Sequence, residues 1–437
     1  MVLRDRAEES PGSICAETVG ELLSLTRSTD PSARVAATYA IERVATVAPE
    51  RVDPEPAVDR LLACRQGGVE DVRRNAIQAL GSIVAAYPDW ADGTVALLLD
   101  DLDRDDIRAD ASWALSRVAD VRPDSVESAV DRFVAALDDD DTFVRINASA
   151  VLARLAQADP TTVRPAIDRV VAHLDDVGRV QSNASVIVGA IAETSSAAVR
   201  AAVEDLVAVL DHDSGGVRYN GTLALARVAS DFPGDVWPAV DALVAVLDDP
   251  EDRVRRKATL ALAHAATEHP VDARPAVDAM ADLLDGDDAA DRATAARGLA
   301  AVADAFPGDV EPHVEPVAAR LDDEPPVRAA VTGALAGVAA EYPGSVRPEV
   351  GALAAVLDDE RDDGDGRRRA ARALAAVATV YPEAIGSAAG ALATAVAGDD
   401  DEPTRVAASR AIARVAATDP APVAPVADDL VAVSDAP

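Results

Sequence analysis

A short sequence unit recurs along almost the whole of this 437-residue chain. Its clearest copies start at Val72, Val144 and Val217, and each begins Val-Arg-x-Asn and reaches a leucine eight residues later. A period of this length predicts an array of small supersecondary units, because each copy can bury its apolar face only against its neighbours. The arginine of the unit recurs every 35 to 39 residues, with Gln181 in one gap, at Arg34, Arg73, Arg108, Arg145, Arg218, Arg255, Arg292, Arg328, Arg367 and Arg405.

Each unit predicts a helix, called helix B below, that ends just before a proline. Numbered from zero, its positions 0, 4, 7, 8 and 11 are apolar or small, as in Val217, Gly221, Ala224, Leu225 and Val228. These positions form one face of a helix with 3.6 residues per turn. The prolines that follow the last turn are Pro49, Pro88, Pro160, Pro233, Pro270, Pro307, Pro343, Pro382 and Pro420.

A second apolar pattern, helix A, follows each helix B and often opens with proline, as at Pro238. An Asp-rich loop such as Asp138 to Asp141 then leads into the next helix B, where acids favour the positive end of the helix. Aromatic residues make up only 3% of the chain, which suits closely packed Ala, Val and Leu helices. We therefore predict an all-α fold, an alpha-alpha superhelix of about eleven two-helix repeats.

The extent of the repeats predicts the domain organisation. We expect residues 1–15 to form a disordered tail and residues 16–434 to form one continuous array of repeats. Within it, residues 16–70 form the N-terminal cap and first repeat, and residues 404–434 form the C-terminal cap. The loop at 358–366 is longer than its counterparts and holds two glycines. A hinge and a tolerated surface insertion both remain open for this loop.

The unit resembles the HEAT repeat family, an armadillo-type α solenoid, over roughly residues 16 to 434. The shared pattern is a helix ending in leucine, an Asp-containing turn, and then Val-Arg-x-x-Ala-x-x-Ala-Leu. The resemblance implies that helix A lines a convex side and helix B a concave side. HEAT arrays serve as scaffolds, transport adaptors and complex subunits, so the fold alone does not specify a function. HEAT-like repeats also occur in bilin lyases, so the alternative is an enzyme or enzyme-assisting factor that acts on a small molecule.

The net charge of the chain restricts the classes of partner and the environment that we expect for it. There are 77 acidic and 41 basic residues, a net charge of −36, and Lys257 is the only lysine. This composition resembles that of haloarchaeal-type proteins from salt-loaded cytoplasms, in which salt screens the self-repulsion. A surface this acidic argues against nucleic acid or an anionic membrane as a partner. The first residues lack an apolar signal core, so we expect a cytoplasmic protein of halophilic character.

Catalytic and metal-binding patterns are sparse. The five histidines form no H-E-x-x-H motif, and His264 with Glu268 supplies at most two ligands on one helix face. Cys15 and Cys64 form no CxxC motif, and no Gly-rich phosphate loop or G-x-S-x-G elbow occurs. Calcium or magnesium on the Asp-rich loops is conceivable, but helix capping and solvation explain these acids better. We therefore expect a non-catalytic protein without a cofactor or metal.

The helix-B face is the predicted binding surface for a protein partner with an acidic segment. Arginine and aromatic side chains over exposed apolar residues are typical of interface hot spots. The oligomeric state stays open. The residues predicted to contact the partner are Tyr39, Trp113, Arg117, Arg154, Tyr219, Leu223, Arg227, Arg256 and Leu260.

A second set of polar residues predicts contacts between repeats. Position 1 lies on one flank of helix B and position 3 on the other, so each arginine is expected to donate to an Asn or Asp oxygen of a neighbouring repeat. The alternative is that the asparagines bind polar groups of a ligand. The residues of this ladder are Arg73, Arg108, Arg145, Arg218, Arg255, Asn75, Asp110, Asn147, Asn183 and Asn220.

Overall fold

The computed structural model describes residues 7–176, 178–359, 364–398, 401–421 and 423–424. Within these residues every regular element is a helix and no strand occurs. The helices alternate as eleven A–B pairs, which confirms the predicted all-α fold of two-helix repeats. Among the described residues, no helix combines the length and apolar character needed to cross a membrane.

Helix B of each repeat is a continuous α-helix. It often begins at an aspartate whose carboxylate accepts a backbone N–H, as Asp30 and Asp141 do, and in most repeats it ends two residues before a proline. From repeat 1 to repeat 11 its bounds are Pro31–Val47, Glu70–Ala86, Arg108–Ala119, Thr142–Ala158, Gly178–Thr194, Gly215–Asp231, Asp252–Ala265, Ala289–Ala305, Pro325–Glu341, Asp365–Val380 and Glu402–Thr418.

Helix A is shorter, and in repeats 4 to 11 one or more 3-10 turns precede it. In repeat 7 the internal Pro238 interrupts the α-helical hydrogen bonds there. Its α-helical bounds in chain order are Ala16–Leu25, Pro54–Arg65, Ala91–Asp101, Val130–Ala136, Ile167–Val171, Val203–Ala208, Val240–Ala245, Val277–Leu283, Val314–Ala318, Val350–Asp358 and Ala389–Gly398. Short α-turns open it at Pro160–Val163, Ser196–Val199, Pro270–Ala273, Pro307–Val310 and Pro343–Val346.

The described chain divides into two compact units, one that ends at Ala202 and one that begins at Val203. In the first unit the core lies between helices A and B. Phe133 and Leu61 on helix A, and Leu115 on helix B, have no exposed surface. In the second unit the corresponding residues on the two helices include Leu243, Leu353, Leu262 and Leu299, again with none.

Neighbouring B helices approach closely where glycine meets alanine. In the first unit, a methyl group placed on Gly81 would lie 2.6 Å from Ala114 Cα. In the second unit, one placed on Gly337 would lie 2.9 Å from the Ala303 carbonyl carbon and oxygen. Such contacts fill the core without large side chains, and they account for the low aromatic content.

The N-terminal segment differs from the expected disordered tail. Residues 7–9 are helical, Pro11–Ser13 form a 3-10 turn, and the side chains of Ala7 and Ile14 are almost fully buried. Burial of these apolar groups against the first repeats orders the segment before residue 16. Residues 1–6 of the expected tail, 360–363 of the long loop and 425–434 of the expected cap lie outside the described residues.

Candidate binding groove

The arginine at position 1 is held first by the loop that precedes its own helix B. Its guanidinium donates to a backbone carbonyl oxygen six residues earlier, which ties the loop to the first helical turn. The donor–acceptor pairs are Arg73 to Gly67 at 2.9 Å, Arg108 to Leu102 at 2.8 Å, Arg145 to Asp139 at 2.9 Å, Arg218 to His212 at 2.7 Å and Arg255 to Asp249 at 2.7 Å.

Most of these guanidinium groups also bind a carboxylate in the loop of the following repeat. The hydrogen bond from Arg218 holds the pKa of Asp249 below its usual range. The pairs across repeats are Arg73–Asp106 at 2.6 Å, Arg108–Asp139 at 3.2 Å, Arg145–Asp176 at 3.2 Å and Arg218–Asp249 at 2.6 Å. Arg255 is paired instead with Asp252 of its own helix, at 3.0 Å.

The asparagines at position 3 form a separate row between B helices of the first unit. Each amide donates to the hydroxyl at position 5 of the preceding repeat: Asn75 to Thr38 at 3.3 Å, Asn147 to Ser112 at 3.0 Å and Asn183 to Ser149 at 2.9 Å. Asp110 is buried and accepts from Gln78 and Arg74 at 2.5 and 3.2 Å. Asn220 in the second unit is half-buried.

The expected arginine-to-asparagine pairing is therefore wrong, although the two sets do lie on opposite flanks of helix B. Helical side chains lean towards the N-terminus, so an arginine in the first turn reaches back over the loop rather than along the neighbouring helix. The asparagine side chain at position 3 is shorter, and its amide donates a hydrogen bond to a Ser or Thr hydroxyl of the adjacent helix B. The result is two ladders, Arg–Asp between loops and Asn–Ser/Thr between helices.

In the first unit the predicted contact residues do not converge on one cleft. Tyr39 and Trp113 are half-buried, and so is Arg117, whose Nε is buried without a hydrogen-bond partner. Arg154 is exposed, but its Nε donates to Asp120 at 2.7 Å and its Nη1 to Gln157 at 3.0 Å. These arginines are therefore engaged in, or enclosed by, local structure.

In the second unit four of the five predicted contact residues line one groove of about 660 Å³ between the B helices of repeats 6 to 9. Leu223 and Leu260 were expected to be exposed, but only 6% of each is accessible, so they form the floor. Arg227 and Arg256 are exposed at its sides. Tyr219 lies one helical turn before Leu223 and packs under the guanidinium of Arg253, 5.0 Å from the ring centre.

Three further basic side chains line the groove, Lys257, His264 and Arg297, and so do the carboxylates of Asp288, Asp291 and Glu324. The predicted contact set did not include them. Arg297 occupies position 6 of repeat 8, the position that holds Leu223 and Leu260 in repeats 6 and 7. The shared repeat position was the signal that could have identified it.

The charged groups of the groove are nearly balanced, with four cationic side chains against three carboxylates, and the cations dominate near His264. Burial lowers the pKa of His264 to about 4, and the positive charges of Arg297 and Arg227 act in the same direction. Arg297 donates to Thr294 at 3.1 Å, and no carboxylate in the described chain lies within ion-pair distance of it. Arg256 is held by Asp291 of the next repeat. The imidazole of His264 is therefore neutral at neutral pH and lies among cations.

An acidic cleft of about 840 Å³ adjoins the loops of repeats 7 and 8 in the same unit. Arg255 and Arg256 balance part of its charge, and its carboxylates belong to Asp252, Asp282, Asp285, Asp287, Asp288 and Asp291. Among the described residues, no three His, Cys, Asp or Glu side chains are arranged to hold a metal ion. The Asp-rich loops instead cap helices, as Asp288 does by accepting the N–H groups of Ala290 and Asp291.

Comparisons with known proteins agree with this architecture. A family model described as Cnd1, non-SMC mitotic condensation complex subunit 1, matches residues 106–221. A chain from a structural study of a phosphorylation switch that controls the interaction between cadherin and beta-catenin has a TM-score of 0.66 and 14% identity, over 94% of this chain and 96% of that one. In fold, the chain is a HEAT/armadillo-type repeat protein.

An engineered protein of known crystal structure shares the same repeat fold. It has a TM-score of 0.53 and 22% identity, over 91% of this chain and 98% of that chain. A search of curated protein sequences gives no significant match. HEAT/armadillo-type folds are typically non-catalytic scaffolds, and a protein-binding adaptor is consistent with this fold.

Proposed function

We propose that the protein is a non-catalytic adaptor that binds an acidic segment of a protein partner in the helix-B groove of repeats 6 to 9. The observation that carries this proposal is the combination of an apolar floor, Leu223 and Leu260, with the cationic side chains of Arg227 and Arg297. Arginine beside a desolvated apolar floor is the arrangement found at binding hot spots. By the family resemblance, this groove belongs to the concave surface.

Charge complementarity selects the partner's chemistry. The chain carries a net charge of −36, and in this groove four cationic side chains stand against three carboxylates, so an acidic segment meets less repulsion there than over the Asp-rich loops. The same net charge disfavours nucleic acid and anionic membranes, whose binding requires neutralisation of many phosphates. For comparison, the beta-catenin of the similar structure interacts with cadherin under the control of a phosphorylation switch.

The high-salt cytoplasm that we propose for this protein restricts how such recognition can work. At about 1 M salt the Debye length is only about 3 Å, so long-range attraction between charged surfaces is screened. Direct ion pairs beside apolar surface are screened much less. A groove that places Arg227 and Arg297 next to buried leucines therefore supports binding at high ionic strength better than an open basic patch.

The test measures the binding of a fluorescent peptide, rich in glutamate with interspersed leucine, to the full chain in about 1 M potassium chloride. Wild type is compared with Arg297→Glu and with the matched control Arg347→Glu. Arg347 is an exposed arginine before helix A of repeat 10 that packs over Tyr381. We expect Arg297→Glu to weaken binding at least about tenfold, a loss of about 1.4 kcal/mol, and Arg347→Glu to leave it unchanged.

Capture from native high-salt lysate with the same three proteins identifies the partner. A protein retained in stoichiometric amount by wild type and Arg347→Glu, but lost with Arg297→Glu, supports the proposal. Equal retention by all three proteins, or no binding of the acidic peptide, overturns it. A bound small molecule in place of a protein would instead favour an enzyme or enzyme-assisting factor.

A further inference from the structure

The B helices of repeats 7 and 8 make a backbone contact next to the groove. A methyl group placed on Gly298 would lie 2.8 Å from Ala263 Cα and 2.9 Å from its Cβ, so the two helices touch at this pair. His264 follows Ala263 in the chain and Arg297 precedes Gly298. The contact fixes these two side chains at adjacent points of the groove wall, and both line the groove.

The surroundings of the imidazole come from the two flanking B helices. Helix B of repeat 6 contributes Arg227 and Asp231, and helix B of repeat 8 contributes Arg297. Among the described residues, no charged side chain of a helix A is among the groups that act on the imidazole of His264. Burial disfavours the imidazolium most, the two arginines disfavour it further, and Asp231 acts in the opposite direction. The net result is a ring that is neutral at neutral pH, in a groove whose lining also holds Arg256, Lys257, Asp288, Asp291 and Glu324.

We propose that an oxyanion group of the ligand, a carboxylate or a phosphate, binds between Arg227 and Arg297, and that His264 takes up one proton as it binds. The proton comes from solvent and forms an N–H bond on the imidazole, and no other bond changes. This inference deepens the proposed function, on which it rests for the use of this groove. The oxyanion offsets both arginine charges and adds a direct attraction for the imidazolium.

Proton uptake requires affinity to depend on pH in a defined direction. The pKa of free His264 is about 4, and a bound oxyanion raises it. Between the pKa of the free state and that of the bound state, binding strengthens as pH falls, because His264 then takes up a proton from solvent with each oxyanion that binds. Above both values the imidazole stays neutral in either state, and this contribution disappears. With a pKa of His264 in the oxyanion-bound state near the ordinary histidine value of about 6.5, the oxyanion binds roughly tenfold more tightly at pH 5.5 than at pH 7.5.

The experiment follows the histidine ring signals of the full chain by NMR with sulfate as the probe, since sulfate stays ionised across this range. Sulfate replaces chloride at constant ionic strength, and His264→Gln assigns the signal. We expect sulfate to raise the pKa of His264 and to leave the ring signals of His313, which pairs with Asp278, unchanged. An unshifted His264 at saturating sulfate overturns the inference.

Two variants separate a proton-linked site from general charge effects. Arg297→Gln removes one guanidinium, so the pKa of free His264 rises and the response to sulfate falls. His264→Gln keeps a neutral polar group in the same place, so sulfate and the acidic peptide still bind but the tenfold pH dependence is lost. Retention of the full pH dependence by His264→Gln contradicts the assignment of the proton to this ring.

The same measurements distinguish this inference from the proposed function. A sulfate-induced shift of His264 without any binding of the glutamate-rich peptide supports the oxyanion site and refutes the adaptor function. Peptide binding without a change in the pKa of His264 supports the adaptor function and refutes the oxyanion site. A second peptide, with phosphoserine in place of one glutamate, distinguishes the two sources of the oxyanion by which peptide produces the larger shift.

Discussion

Arg145 joins two consecutive repeats through Asp176. Arg145 Nε lies 3.2 Å from Asp176 Oδ2, while its Nη1 donates to the backbone carbonyl of Asp139 at 2.9 Å. Less than a fifth of either charged side chain is exposed. Replacing Arg145 by alanine removes the guanidinium from a largely buried carboxylate, which keeps His173 Nδ1 at 3.2 Å, and from a loop carbonyl, so we expect a loss of about 1–3 kcal/mol in the free energy of unfolding.

The matched control is Arg154→Ala, since Arg154 also pairs with an aspartate of another repeat, Asp120, at 2.7 Å. Half of the Arg154 side chain and 40% of that of Asp120 are exposed, so solvent screens the pair. We expect the control to cost about 0–1 kcal/mol. Urea unfolding of both variants at one fixed salt concentration compares them, and equal losses would contradict the role assigned to Arg145.

Close helix packing gives a second prediction. Gly337→Ala places a methyl group 2.9 Å from backbone atoms of Ala303, and those atoms cannot move without displacing helix B of repeat 8. We expect a loss of about 1–3 kcal/mol from overpacking. Gly351→Ala is the control, because a methyl group there meets nothing within 4 Å and alanine favours helix by up to about 1 kcal/mol. Thermal unfolding should therefore shift the two variants in opposite directions.

The sequence predicted the repeats but not which side chains meet. Helix ends were predictable because proline cannot continue a helix, and helix B of repeat 4 does stop just before Asp159 and Pro160. The partner of Arg145 was not, because Asp176 is one of several loop acids and the loop backbone decides which of them it meets. The sequence period determines on which side of a helix a residue lies. Its hydrogen-bond partner also depends on how far the neighbouring helix and loop are shifted along the helix axis.

The groove was predictable only in part for the same reason. Leu223 and Leu260 do line the groove together with Arg227 and Arg256, but their burial was not expected, because it depends on how closely the B helices pack. The contact between Ala263 and Gly298 sets that closeness, and no periodic rule reveals it. Arg297 replaces an apolar residue at an equivalent position, so its place in the groove follows once the repeats are aligned.

His264 predicts a pH dependence of stability. Its folded-state pKa of about 4 lies below the unfolded value of about 6.5. The unfolded chain therefore binds more protons between these values, and this histidine's contribution to stability falls as pH drops from about 6.5 to about 4. We expect it to account for about 2–3 kcal/mol of the decline across that window. His264→Gln should show a correspondingly shallower decline in chemical unfolding at several pH values, and an unchanged slope would contradict this.

Salt dependence tests the halophilic composition. With a net charge of −36, lowering potassium chloride from molar to low millimolar removes screening, and we expect the thermal midpoint to fall. The triple variant Asp140→Lys, Asp287→Lys and Asp322→Lys changes three exposed loop acids. Each substitution adds two units of charge, so −36 becomes −30, and the midpoint should fall less. A wild-type midpoint independent of salt would refute the halophilic interpretation.

Tyr219 tests how far the partner surface extends beyond the groove. Its ring lies 5.0 Å under Arg253, one turn before the groove residue Leu223, and we expect Tyr219→Ala to weaken binding of the glutamate-rich peptide roughly tenfold by loss of an aromatic contact. Tyr381→Ala is the matched control: it removes a similar pair, with Arg347 at 5.2 Å, at the C-terminal end of a helix B outside the groove. Each substitution costs about 0.5–1 kcal/mol through its cation–π contact, so stability alone cannot separate the two. Only the peptide affinity distinguishes them, and equal affinities for the two folded variants would confine the binding surface to the groove itself.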